Sequence, residues 1–200
     1  MSTNVLQIDS SVFTDAGVSH QLTQKFLAEL KAQSGDIAVT HRDLGLEPIP
    51  HLDADTIGEM GEGKAKLANE LLTELQEADI LVLGVPMYNF GVPSVLKAWF
   101  DHIAQAGKSF QYTANGPEGL ITGKKVFVLA TRGGVHRDTP VDTQTGFLKN
   151  VLGFLGMTDV TIIYAEGLNM SGDSRAEAIA KAELEIQSQV QSIAQRASVL

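Results

Sequence analysis

The sequence predicts an α/β chain with a three-layer, doubly wound fold: a five-stranded parallel sheet in the order 2-1-3-4-5, with helices on both sides. Three observations carry this. "DILVLGV" (79–85) and "KKVFVLAT" (124–131) are continuous β-rich apolar runs, as strands buried on both faces should be. Such runs alternate with segments whose apolar residues recur at helical spacing, which implies right-handed βαβ units. The 200 residues contain no repeat, low-complexity tract or linker, so the expectation is one domain, 1–200.

In chain order, "NVLQI" (4–8) is a short apolar strand, and "DSSVFTDAGVSHQLT" (9–23) follows it as turn formers leading into a helix. Leu22, Phe26, Leu27 and Leu30 mark that helix, with Ser19 expected as its N-cap. "DIAVTHRDL" alternates as a strand does, and "EPIPHLDADTIGEMGEG" reads as a loop punctuated by proline and glycine. Leu67, Leu71, Leu72 and Leu75 give a second amphipathic helix; strand 79–85 comes next. Val95, Leu96, Trp99, Phe100 and Ile103 give a third helix after the stiff loop "PMYNFGVPS". Strand 124–131, helix 147–157, strand 159–167 and a long helix from about Ser174 complete the chain.

Composition excludes several functions. A net charge of −9 argues against nucleic acid as the main partner, since phosphate backbones are held by clustered Lys and Arg. The absence of cysteine removes disulfides, thiol nucleophiles and zinc thiolates, and the five histidines lack metal-ligand spacing, so no metal is expected. "MSTNVLQIDS" lacks the basic start and apolar run of a signal peptide, and no stretch nears the roughly 18 apolar residues that span a bilayer. The expectation is a cytoplasmic protein with no membrane partner. A serine hydrolase is set aside for want of Gly-x-Ser-x-Gly.

In this architecture ligands bind outside the carboxyl ends of the strands. The loop after strand 1 offers Ser10, Ser11, Thr14 and Ser19, Gly17 and the amides of a helix start, with no Lys or Arg before Lys25. A single phosphate can be held by hydroxyls, amides and the helix dipole; a triphosphate would want a Walker lysine. The loop after strand 3 places Met87, Tyr88, Asn89 and Phe90 between two prolines. The loop after strand 4, "TRGGVHRD" (131–138), lets backbone approach a ligand at Gly133 and Gly134. Each loop alone has a plain reading as a capped helix, a hydrophobic plug or a common turn. Jointly, one phosphate site and two ring-binding loops suit FMN.

"PMYNF", "NGPEGL", "TGKK", "RGG-x-H", "LGF-x-G" and "AEG", in this order, resemble the FMN-dependent NADH-azoreductases, also called FMN-dependent NADH:quinone oxidoreductases. The resemblance covers essentially the whole chain. It implies a flavodoxin-like fold and a homodimer with its active sites at the subunit interface. It also implies NADH as electron-donor substrate, and quinones and aromatic azo compounds as acceptors. Carried over by motif, Ser11, Gly17, Val18 and Ser19 would hold the FMN phosphate. Met87, Tyr88, Asn89, Phe90, Thr131, Arg132, Gly133 and Gly134 would hold the ring, with His136 near its pyrimidine edge. The chain has Gly17-Val18-Ser19 where members often carry Ser-x-Ser, and Thr131 where a serine is frequent.

No side chain need be catalytic on this reading, because flavin N5 carries the chemistry; His136 and Asn89 are candidate supporting residues. Donor and acceptor would visit one ring face in turn, a ping-pong exchange. Tyr112 and Tyr164 are candidates for the substrate face. The helix Val95 to Ile103, with Trp99, is expected to supply part of the dimer interface. The alternative is a flavodoxin-like electron carrier that binds FMN without reducing small molecules.

Overall fold

A computed structural model of the chain describes residues 2–197. Seven strands and six α-helices follow the chain: β1 (Thr3–Asp9), α1 (Val18–Ser34), β2 (Ile37–Asp43), α2 (Ala54–Gly61), α3 (Lys66–Glu77), β3 (Ile80–Pro86), α4 (Ser94–Ile103), β4 (Phe110–Thr113), β5 (Gly116–Gly119), β6 (Lys125–Thr131), α5 (Thr143–Phe154), β7 (Asp159–Ala165) and α6 (Ser174–Ala197). Five strands form one parallel sheet in the order β2-β1-β3-β6-β7; β4 and β5 make a separate antiparallel hairpin. With the hairpin left out, this is the expected 2-1-3-4-5 order.

The sheet separates two cores, and the period-2 alternation of its strands decides which residues serve each. Val5, Ile80, Val82, Phe127 and Leu129 pack against α1 and α6. Leu6, Ile8, Leu81, Leu83, Val126 and Val128 pack against α3, α4 and α5. Every residue of β3 is buried, which is why its sequence shows no alternation.

Four local expectations need correction. Residues 54–61 are helical rather than loop: Asp53 caps α2 by accepting from the Thr56 amide at 2.8 Å. None of α2's residues is buried, so the sequence carried no core-facing stripe for it. Helix α5 begins at Thr143, ahead of the expected 147, because Asp142 caps it through the Thr145 amide. Ser19 is not an N-cap: Gly17 holds that position with β-region backbone and no side-chain cap, and Ser19 lies within α1. Most of the apolar side of α4 faces the chain's own core. Leu96, Trp99, Phe100 and Ile103 are fully buried, and of the five only Val95 is half-buried. Among the described residues no helix is long and apolar enough to cross a membrane.

Candidate functional site

The carboxyl ends of β1, β3 and β6 open into a cleft of about 290 Å³. Ser11, Gly17, Val18, Ser19, Met87, Tyr88, Thr131 and Gly133 line it, together with Leu168, Asn169 and Arg175. The three loops singled out in the sequence therefore do converge. A larger cavity, about 640 Å³, lies at the β2 edge. We assign the candidate site to the smaller cleft, because that is where unpaired donors gather.

At its α1 end the first intrahelical bond runs from the Gln21 amide to the Gly17 carbonyl. The amides of Val18, Ser19 and His20 thus have no helical acceptor, and the helix N-terminus carries partial positive charge. Ser19 is 1% exposed and its Oγ has no hydrogen-bond partner among the described residues. A buried hydroxyl left unpaired is costly, and an oxyanion in the cleft is the partner it lacks. Ser11 Oγ accepts from the Phe13 amide at 3.2 Å and lies 3.5 Å from the Tyr88 hydroxyl, which ties this loop to the next. A Cβ on Gly17 would stand 2.3 Å from Ser11 Oγ. The side chain often present at this position in the resembling family has no room beside Ser11 as it stands.

The second loop is a tight turn. Tyr88 and Gly91 exchange backbone hydrogen bonds at 3.1 and 3.0 Å, with Asn89 (φ 49°) and Phe90 (φ 68°) in the left-handed region between them. Two adjacent non-glycine residues in that region cost about 1–3 kcal/mol each and persist only where the surroundings fix them. The surroundings here are α5: Thr143 Oγ1 donates to the Phe90 carbonyl at 2.6 Å and Gln144 Nε2 to the Pro86 carbonyl at 3.0 Å. The Met87 and Tyr88 amides are already committed, to Thr131 and Gly91. The amides of Asn89 and Phe90 have no partner among the described residues.

In the third loop the Gly133 and Gly134 amides are likewise unpaired, while their carbonyls accept from Asn169 and Gly167. Glu166 holds the loop from beneath: its Oε1 accepts from the His136 and Arg137 amides at 2.8 and 2.9 Å. His136 stacks edge-on against Phe90, with centroids 5.6 Å apart, so the tips of the second and third loops meet. Asn89, Phe90, Gly134 and His136 lie on these tips, outside the lining of the cleft itself.

Three expected residues are placed differently. The Arg132 side chain turns away from the cleft and is 1% exposed. It pairs with Asp142 at 2.8 Å and Glu166 at 3.1 Å, bonds Thr145 and Gln144, and lies 5.0 Å from the centre of the Tyr164 ring. Its own amide and carbonyl are taken by Ala165 and Leu168, so it supports the loop rather than offering a donor to the cleft. Tyr164 bonds Thr145 Oγ1 at 3.0 Å and faces a separate cavity on the β7 side. Tyr112 projects from the β4–β5 hairpin, 77% exposed.

Burial alone would raise the Asp142 carboxyl, but hydrogen bonds from Arg132 and Thr145 and the charge of Arg132 outweigh it and hold Asp142 below the ordinary carboxylate range. The sequence reading missed Glu166, Asp142, Thr143 and Gln144, although the caps and "AEG" were visible signals. It also missed Arg175, which α6 brings into the lining of the cleft from far along the chain.

The donor set fits FMN: an oxyanion pocket with an orphaned buried hydroxyl, the unpaired Gly133 amide in the same cleft, and the unpaired Asn89, Phe90 and Gly134 amides on the loop tips beside it. Comparison with known proteins agrees. Residues 3–190 match the family described as Flavodoxin-like fold. An "FMN-dependent NADH:quinone oxidoreductase" of Saccharophagus degradans is 50% identical over 91% of this chain and 90% of its own. A protein of the same name from Azotobacter vinelandii is 49% identical over 90% of this chain and 95% of its own. The crystal structure of an azoreductase from Bacillus anthracis str. Sterne superposes with a TM-score of 0.85 at 30% identity, covering 95% of this chain and 99% of that one.

Proposed function

The chain belongs to the FMN-dependent NADH:quinone oxidoreductases of flavodoxin-like fold, and from that membership we propose that it is an FMN-dependent enzyme that uses NADH to reduce quinones and to cleave aromatic azo compounds to amines. When bound, FMN would supply the two-electron chemistry. The observation that carries the reading is the buried, unpartnered Ser19 Oγ beside the free α1 amides, in a cleft that unpaired amides also flank.

The residues divide the work. Ser11, Ser19 and the amides of Val18 and Ser19 would hold the phosphate, with Arg175 adding charge. Gly17 would leave room for Ser11. Met87, Tyr88, Thr131 and Gly133 would line the ring site. The amides of Asn89, Phe90, Gly133 and Gly134, with His136, would bond the ring edge, and donors fixed in place beforehand stabilise charge that develops there. Arg132 would act through the loop it anchors.

The protein would work in the cytoplasm as a homodimer with its sites at the interface. Phe13, Phe90 and Val135, each more than half exposed around the cleft, are the apolar surface a partner would cover. Tyr112, exposed on its hairpin, would reach a partner's cleft rather than its own. Relatives named as enzymes weigh against the bare electron carrier. The test is an absorbance titration of the purified chain with FMN, then anaerobic NADH, then a quinone or an azo dye. Saturable FMN binding, bleaching by NADH and recovery with acceptor are expected. FMN that binds but resists NADH would reduce the protein to a carrier, and no FMN binding would refute the site.

A further inference from the structure

Outside the cleft, the register of β1 and β2 assembles a second group of side chains. Gln7 pairs with His41 across the two strands. Asp9 lies two residues on, so it shares the face of Gln7, toward α1. There α1 supplies His20, one residue past Ser19. The Asp9 carboxylate is 1% exposed. Its Oδ2 lies 2.9 Å from His41 Nε2 and 3.2 Å from His20 Nδ1. Gly84 makes the space, since a Cβ there would stand 2.6 Å from Asp9 Oδ1.

We propose that Asp9, His20 and His41 are the ligands of a divalent transition-metal ion of the zinc class. Two imidazoles and one carboxylate are the nitrogen and oxygen donors that such ions take, and three protein ligands leave a coordination position open. The three donor atoms all lie within 4.8 Å of one another. Ligands about 2.0–2.2 Å from a tetrahedral centre stand roughly 3.4 Å apart, so modest adjustment admits the ion. His20 Nδ1 is withdrawn from solvent and makes no aligned hydrogen bond, although Asp9 is near. That is the condition of a nitrogen with a lone pair to give.

The 640 Å³ cavity that His20 and His41 line gives the ion an entry path. Asp15, Asp43, Glu47 and Glu74 face that cavity, against the single cation Arg42, which Glu70 and Glu74 already engage. The surroundings therefore favour a cation. The ligands bracket the phosphate loop, with Asp9 before it and His20 after it, and the ion would join both ends to the β2 edge.

The proposal does not depend on FMN, and its test reads metal directly. FMN-loaded, chelator-treated protein is given zinc chloride, desalted and assayed for metal, with cobalt(II) as a visible-spectrum probe. One zinc per chain is expected, with tetrahedral cobalt bands and a rise in Tm on metal addition. The double variant His20→Gln/His41→Gln should bind at least about tenfold more weakly, since even losing a partner that orients a ligand costs that much. His51→Gln, an exposed histidine elsewhere, should bind as the parent does. If the double variant does not fold, His41→Gln alone makes the comparison. No retained zinc overturns the proposal, as does retention unchanged in a folded histidine variant.

Discussion

Arg132 and Asp142 form an ion pair of 2.8 Å in which the side chains are only 1% and 7% exposed. The pair joins the end of β6 to the cap of α5, and Glu166 extends it to the end of β7. The three elements that brace the second and third loops are thereby fixed to one another.

Removing one member of a buried pair leaves the other charge uncompensated, which costs about 3–5 kcal/mol. Arg132→Met should therefore destabilise the protein by about 3 kcal/mol. For a chain of this size that is a fall in Tm of roughly 6–12 °C. FMN affinity should fall too, although Arg132 lines no part of the cleft, because the loop it anchors loosens. Calorimetry and an FMN titration on the variant would check both; an unchanged Tm would mean that the network is ornamental.

Asp142 gives this network a pH dependence of definite sign. Its folded pKa lies below the unfolded value. The ionised carboxylate thus contributes stability that is present above the ordinary carboxylate range and is lost as the pH falls through the lower folded value. Urea midpoints measured from about pH 6 down to about pH 3 should show an acid limb that is shallower in Asp142→Asn. The variant should also be less stable than the parent at neutral pH. Parallel acid limbs would place the titrating group elsewhere.

The fold was legible because its determinants are local. The runs 79–85 and 124–131 are apolar on both faces, and only a covered parallel sheet accommodates such strands. The three loops were legible because the carboxyl edge of such a sheet is where ligands bind. What the sequence hid depends on direction and register. Nothing in "TRGG" indicates that Arg132 points beneath the loop, since its partners Asp142 and Glu166 lie 10 and 34 residues away. Asp9, His20 and His41 have no motif spacing, because strand pairing brings His41 beside the group. Helix α2 escaped notice because its apolar side finds no core to face.

Ser19 offers a test in which stability and binding move in opposite directions. Its hydroxyl is buried and unpaired without a ligand. Ser19→Ala removes that unsatisfied group and improves helix propensity, so the FMN-free protein should gain up to about 1 kcal/mol. FMN binding should weaken by about 1 kcal/mol, close to fivefold, through the lost phosphate contact. Denaturation of FMN-free protein and a fluorescence titration give the two numbers. A variant destabilised without FMN and unchanged in affinity would show that Ser19 is only a packing residue.

The shape of the cleft bears on the order in which substrates act. Residues of the loops after β1, β3 and β6 line one space of about 290 Å³. Were FMN held there as proposed, NADH and the acceptor would both have to approach through what remains of the mouth. Both present flat rings, and two flat rings do not occupy one stacking position together. Turn-taking follows: NAD⁺ leaves before quinone enters. Initial rates at varied NADH and several fixed quinone concentrations should therefore give parallel double-reciprocal lines. High quinone should inhibit competitively against NADH, since each can block the other's position. Phe90→Ala, which removes an exposed ring at the loop tips, should raise KM for both substrates together and leave the parallel pattern intact. Converging lines, with quinone inhibition that NADH does not relieve, would require both reactants to be bound at once and would rule out a single shared position.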